Sequence, residues 1–183
     1  MKTVGSAMIE VGKQAVSGFG EFEQLEGGVQ KLFGDDVKDT VIKNANDAFK
    51  TAGMSANEYM ETVTGFSKSM IVSLNGDTKK AAELSDQALR DMSDNANTFG
   101  TDMQSIQNAY SGFAKGQFNM LDNLKLGYGG TKTEMERLLK DAEKLSGKKY
   151  NVSNFADITE AIHQIQVASN IAVSYTHLTL PTT

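Results

Sequence analysis

Proline is missing from residues 1–172. The only proline among the 183 residues is Pro181, against an ordinary usage of about 5%. Proline removes a backbone donor and clashes with the preceding turn, so it breaks helix interiors. Glycine, which closes helices by adopting left-handed backbone angles, occurs 17 times. A chain that avoids the helix breaker and is punctuated by the helix closer is expected to form helices joined by glycine turns. The length suits one domain with a real core, and 39% hydrophobic with 22% charged residues suits a folded protein.

Apolar residues recur at three- and four-residue steps, the period of one helix face. Val4, Met8, Val11, Ala15, Phe19 and Phe22 make a first stripe. Val37, Val41, Ala45, Ala48 and Ala52 make a second, widened by Ile42 and Phe49. The third runs through Tyr59, Val63, Phe66, Met70 and Leu74, and the fourth through Ala81, Leu84, Ala88, Met92, Ala96 and Phe99. Met103, Ile106, Tyr110 and Phe113 form the fifth. Met135, Leu138, Leu139, Ala142 and Leu145 form the sixth, and Phe155, Ile158, Ile162 and Ile165 the seventh. The expected fold is all-α: an array of about seven short amphipathic helices, each of about three to five turns, joined by glycine turns. Only Tyr150-Asn151-Val152 suggests a short extended piece. The nine methionines read as flexible core filler, with a partner-facing methionine surface as the alternative.

Start and stop signals agree. Ser55 with Glu58, Thr101 with Gln104, and Thr131 with Glu134 fit capping boxes. Asp77 can cap the fourth helix. Gly53, Gly76, Gly100 and Gly147 each fall just past a periodic run.

The same residues narrow the chemistry. A net charge of -5 argues against nucleic-acid binding, which needs a basic footprint. Lys79-Lys80 and Lys148-Lys149 read as solvated helix ends, and the acidic pairs Asp35-Asp36 and Asp91 with Asp94 as solvated helix ends or faces. No cysteine is present, which removes disulfides, thiolate metal sites and cysteine nucleophiles. No apolar run approaches the roughly 18 residues of a membrane span, and the first residues show no signal peptide. His163 is expected to be a half-exposed helix residue beside the isoleucine stripe. Ser146-x-x-Lys149 and Ser93-Asp94-Asn95 match fragments of a penicillin-binding signature, but in reversed order and without its third motif. No segment supplies a calcium loop. No catalytic, cofactor-binding or metal-ligating residue is therefore expected.

The most distinctive stretch is Lys125, Leu126, Gly127, Tyr128, Gly129 and Gly130. It lacks the spacing and the preceding strand of a phosphate loop, and the flanking membrane helices of a channel filter. It reads as a tight turn into the Thr131 cap, or else as a contact loop presenting Tyr128 to a partner.

Residues 173–183 break the pattern: uncharged, with four threonines, the only proline and one of two histidines. They resemble the translation of a transposon-type sequencing adapter, so the expectation is a truncated native segment over 1–172 and a foreign tail over 173–183. Met1 then need not be the native start. The alternative is a native, strand-like tail.

Several blocks carry a family resemblance. They include Glu23-Gln24-Leu25-Glu26-Gly27-Gly28-Val29 with Lys31-Leu32-Phe33-Gly34-Asp35, and Ala52-Gly53-Met54-Ser55-Ala56-Asn57-Glu58-Tyr59-Met60-Glu61-Thr62-Val63. Met92-Ser93-Asp94-Asn95-Ala96-Asn97 and Ile106-Gln107-Asn108-Ala109-Tyr110 with Gly112-Phe113-Ala114-Lys115 follow. The strongest is Met120-Leu121-Asp122-Asn123-Leu124-Lys125-Leu126-Gly127-Tyr128-Gly129-Gly130-Thr131-Lys132, continued by Glu160-Ala161-Ile162-His163. In this order they resemble the N-terminal part of tail tape-measure proteins of long-tailed phages and prophages of Gram-positive bacteria, over most of residues 20–170. The resemblance implies a structural virion protein, made in the bacterial cytoplasm, lying inside the tail tube, setting tail length and released during genome delivery. It implies the tail tube protein, tail assembly chaperones and other tape-measure copies as partners, and no cofactor. A helix of 172 residues would span at most about 260 Å, too short for a whole ruler. The alternative function is a secreted bacterial helical effector or interaction module.

Overall fold

The structure, a computed structural model, describes residues 4–171, with side chains from Gly18 onward. Seven α-helices follow one another: α1 (Val4–Phe33), α2 (Asp35–Ala52), α3 (Ala56–Ser73), α4 (Thr78–Phe99), α5 (Met103–Phe113), α6 (Lys132–Ser146) and α7 (Phe155–Ala168). A short 3-10 helix, Leu121–Leu124, lies between α5 and α6. No strand occurs among the described residues. The tail over 173–183 and the side chains of Val4, Met8, Val11 and Ala15 lie outside them.

α4 shares the centre of the bundle with α3. It packs against α1, α2, α3, α5 and α7. α2 offers this core only Val37, Val41, Ala45, Ala48 and Ala52. The bulk comes from Tyr59, Met60 and Met70 of α3 and from Leu89 and Met92 of α4, all essentially inaccessible. Small faces against large ones let the layers interdigitate at interior density. α6 packs chiefly on α7, and α7 in turn on α4 and α3. The α6–α7 pair therefore meets the bundle through α7. Met54, Met60, Met70, Met92 and Met135 are buried, and Met103 and Met120 are half-buried against the same core, so the methionines with described side chains serve as core filler.

Two helices exceed the expected short lengths. α4 runs for 22 residues and α1 for 30. The stripe read as ending at Phe22 continues, because Val29 and Phe33 keep its spacing and are buried. Gly27 and Gly28 each cost about 1 kcal/mol inside a helix. Burying Val29 and Phe33 returns roughly 1.5–3 kcal/mol apiece, so the helix persists to Gly34. The junction glycines behave as expected: Gly53, Gly76, Gly100 and Gly147 all have positive φ.

Five local expectations are corrected. Phe19, placed in the first stripe, is 67% exposed. Phe49 is 78% exposed, because it lies off the face defined by Val41, Ala45 and Ala48. Leu145 is likewise exposed, in the last turn of α6. Thr101 does not cap α5; Asp102 does, accepting the Ser105 N–H at 3.0 Å. A carboxylate one residue closer to the helix wins the orphan donors. Tyr150-Asn151-Val152 is a loop. The Tyr150 N–H donates to Glu143 and its hydroxyl donates to Ser146, which curls the chain back onto α6.

The Ser55 box forms in full. Ser55 Oγ accepts the Glu58 N–H at 3.2 Å, and Glu58 Oε2 accepts the Ser55 N–H at 2.9 Å. Ser55→Ala should cost about 1 kcal/mol, seen as a fall of about 2–4 °C in Tm. An unchanged Tm would mean that tertiary packing alone sets the start of α3.

Candidate functional site

The Lys125–Gly130 loop is built down onto α6. Lys125 takes left-handed angles (φ 52°) to end the 3-10 helix, and Gly127 turns the chain with φ 88°. Leu126 is partly buried against the core. Tyr128 is half-buried, its hydroxyl donating to Asp141 Oδ2 at 2.9 Å. Arg137 lies over the Tyr128 ring, 4.3 Å from its centroid, and its Nη2 donates to the Gly127 carbonyl at 2.8 Å. The same guanidinium grips Glu134 through both carboxylate oxygens, at 3.0 and 2.7 Å.

Glu134 also accepts the Gly129 N–H at 2.9 Å. The Arg137 bonds, then the Gly129 N–H, hold its carboxyl down at about 2. Burial, then the bond to Asp141, lifts the Tyr128 phenol to about 12, so it stays protonated and donates. Thr131 caps α6 by accepting the Glu134 N–H. Because Glu134 is turned toward Gly129 and Arg137, the expected box is only half-formed. Tyr128 is thus a clamp rather than an exposed contact residue, and only Lys125, Gly127 and Gly129 of the six are exposed.

The second constellation lies on α4, where the sequence had suggested solvated carboxylates. Asp91 is fully buried and Asp94 is 3% exposed. His163 of α7 sits with Nδ1 at 3.0 and 3.1 Å from the two Asp91 oxygens. Gln87 Nε2 donates to Asp91 Oδ1 at 3.2 Å. Gln166 Nε2 donates to the Asp91 carbonyl at 3.0 Å. Asn95 Nδ2 reaches the Leu124 carbonyl at 2.8 Å and Gln166 Oε1 at 3.2 Å. One buried amide thereby ties α4 to α7 and to the end of the 3-10 helix. Asp94 Oδ1, Asn95 Oδ1 and the Tyr110 hydroxyl are buried without a partner.

The electrostatics follow from this geometry. The Asp91 bond holds the His163 imidazole above its ordinary value. Burial raises the Asp91 carboxyl, with His163 pulling it back only in part. Burial, then the neighbouring Asp91 charge, pushes Asp94 up to about 6. Histidine paired with a carboxylate is the orienting half of an acid–base set, which needs a nucleophile at the other ring nitrogen. No described residue makes a hydrogen bond to His163 Nε2.

His163 is half-buried, yet its bond to Asp91 is what sequence inspection missed. A signal was present: Asp91 and Asn95 share the spacing of Ala88 and Met92, so the apolar stripe of α4 contains polar members. Ser93-Asp94-Asn95 is the middle of this buried face, while Ser146 donates to the Ala142 carbonyl at the end of α6. The two fragments of the penicillin-binding signature are not brought into one site.

A second polar link joins α3 to α4. The Tyr59 hydroxyl donates to Asp86 Oδ1 at 2.8 Å, and Arg90 pairs with Asp86 at 2.7 Å. Set against protein-family models, curated proteins and solved structures, the chain matches none of them.

The loop separates two neighbouring glycines sharply. A Cβ at Gly130 would lie 2.4 Å from the Asn119 carbonyl oxygen, whereas at Gly129 the nearest atom is Glu134 Cγ at 3.5 Å. Gly130→Ala should destabilise by about 2 kcal/mol or more, and Gly129→Ala by less than about 0.5 kcal/mol, in urea unfolding. Equal effects would show that the loop yields without strain.

Proposed function

We propose that this chain is a segment of a phage tail tape-measure protein, a virion structural component that works by helix–helix and tube-lumen contact rather than by catalysis. The observation that carries this proposal is the ordered series of sequence blocks between Glu23 and His163. These blocks resemble that family in their order along the chain, and the longest covers residues 120–132.

The geometry is compatible with a structural use of that block. Arg137, Glu134, Asp141 and Thr131 bind the loop to its own helix. These polar groups bond within the chain, as in a scaffold element. On α4 the buried Asp86, Asp91 and Asn95 join helices through Tyr59, His163 and Gln166. In this proposal the chain is made in the bacterial cytoplasm, is held there by tail assembly chaperones, and lies with other tape-measure copies inside the tail tube protein. Residues 173–183 are foreign sequence in the same proposal. Among the described residues no helix is long and apolar enough to cross a membrane.

The test is the genomic DNA on both sides of the Ala172 codon. The proposal expects an open frame running on through several hundred codons of helical sequence, beside genes for other tail components. A frame that encodes residues 173–183 and then stops, among genes unrelated to tails, would overturn it in favour of a small secreted helical effector.

A further inference from the structure

Two carboxylates on one buried helix face have a single imidazole between them. Asp91 and Asp94 are three residues apart on α4, the first fully buried and the second 3% exposed. Only Asp91 touches a cationic partner, His163 of α7. One oxygen of Asp94 has no donor at all. Protonated, Asp94 is neutral, and the Asp91–His163 pair is neutral as a unit. With rising pH first one and then a second uncompensated negative charge is left in the interior, where an unpaired charge is costly.

We propose that Asp91, Asp94 and His163 form a proton-loaded latch, which holds the α6–α7 pair on the bundle at mildly acidic pH and loosens it as the pH rises. The position of the cluster gives it that reach. α6 packs chiefly on α7, and α7 meets the bundle along α4 and α3. The cluster sits in the α4 seam. The latch is independent of the tape-measure proposal, since it rests only on three side chains of α4 and α7 and on the packing of α6 against α7.

The neighbouring charges do not neutralise the excess. Arg90, next in sequence, pairs with Asp86, which also accepts from Tyr59 of α3, and its charge offsets the burial of Asp91 and Asp94 only in part. From α5 comes only the Tyr110 phenol, itself held protonated by burial. α7 adds Glu160, which is paired with Lys148. No described titratable residue of α1 or α2 bears on the cluster.

All three groups bind protons more tightly in the folded chain than in the unfolded one. Stability therefore falls as pH rises through the folded values. For Asp94 the gain is full below the ordinary carboxylate value and is lost through about 6. For His163 it is full below the ordinary imidazole value and is lost above it. Glu134, Asp141 and Glu143 act oppositely, but only below the ordinary carboxylate range. Maximum stability should lie near pH 5.

The experiment is thermal unfolding of the 183-residue chain at pH 5 and pH 8 at constant ionic strength, with hydrogen exchange at both pH values corrected for intrinsic rates. We expect Tm to be higher at pH 5 by about 4 °C. At pH 8, amides of residues 155–168 should lose protection while those of 35–73 keep theirs. Asp94→Asn should raise Tm at pH 8 and about halve the pH difference. A Tm equal or higher at pH 8, protection lost evenly over the chain, or an unchanged pH difference in the variant would overturn the latch. If Asp94→Asn fails to fold, the exchange pattern of the unsubstituted chain still decides.

Discussion

Burying Asp91 is the constraint around which the rest of the molecule is arranged. A carboxylate without water must be paired or it destabilises the fold. Its partner, His163, lies 72 residues away in sequence. Once that pair forms, the register of α7 against α4 is fixed. Gln166, one turn further along α7, then meets the Asp91 carbonyl and the Asn95 amide. Asn95 holds the end of the 3-10 helix through the Leu124 carbonyl. Apolar contacts supply most of the stability, but they are non-directional. The polar contacts choose one alignment among several that a seam of alanine, isoleucine and methionine would tolerate.

The loop from Lys125 to Gly130 extends this order to α6. It leaves the 3-10 helix at a position fixed by Asn95 and arrives at the Thr131 cap. Between them Arg137 acts at once as hydrogen-bond donor, ion-pair partner and cover for the Tyr128 ring. The planar guanidinium can do all three; a lysine could not. Gly130 lets the loop lie directly against the backbone at Asn119. The two regions form one polar frame, running from α4 through the loop to α6 and from α4 to α7.

Much of the fold was legible because periodicity and punctuation coincide. The stripe of α7 maps wholly onto buried residues, and those of α2, α3 and α5 do so apart from exposed Phe49 and half-buried Ile42, Leu74 and Met103, while Ser55, Asp77 and Thr131 all cap as their types suggest. α1 was harder to read past Phe22, since Gly27 and Gly28 look like a stop and only burial of Val29 and Phe33 shows otherwise. The cap of α5 was misplaced by one residue because Thr101 and Asp102 are both good caps in isolation. The polar frame was the least legible part. Asp91 and Asp94 have the spacing of a solvated face as much as of a buried one, and nothing local reveals that His163 will meet them. Long-range pairing of charges is a property of the packed helices, whereas caps and stripes are properties of a few neighbouring residues. Tyr128 followed the same rule: its neighbours gave a tight turn or a contact loop, and only Asp141 and Arg137 on the facing helix make it a clamp.

The most direct test of this account is a double-mutant cycle between Asp91 and His163, using Asp91→Asn, His163→Gln and the double variant, with unfolding free energies measured in urea at pH 6. If the pair sets the α4–α7 register, each single change should cost about 2–3 kcal/mol. The double variant should cost less than their sum by at least about 1 kcal/mol. Additive losses, with a coupling energy near zero, would contradict the account and return the alignment of α7 to its apolar face alone.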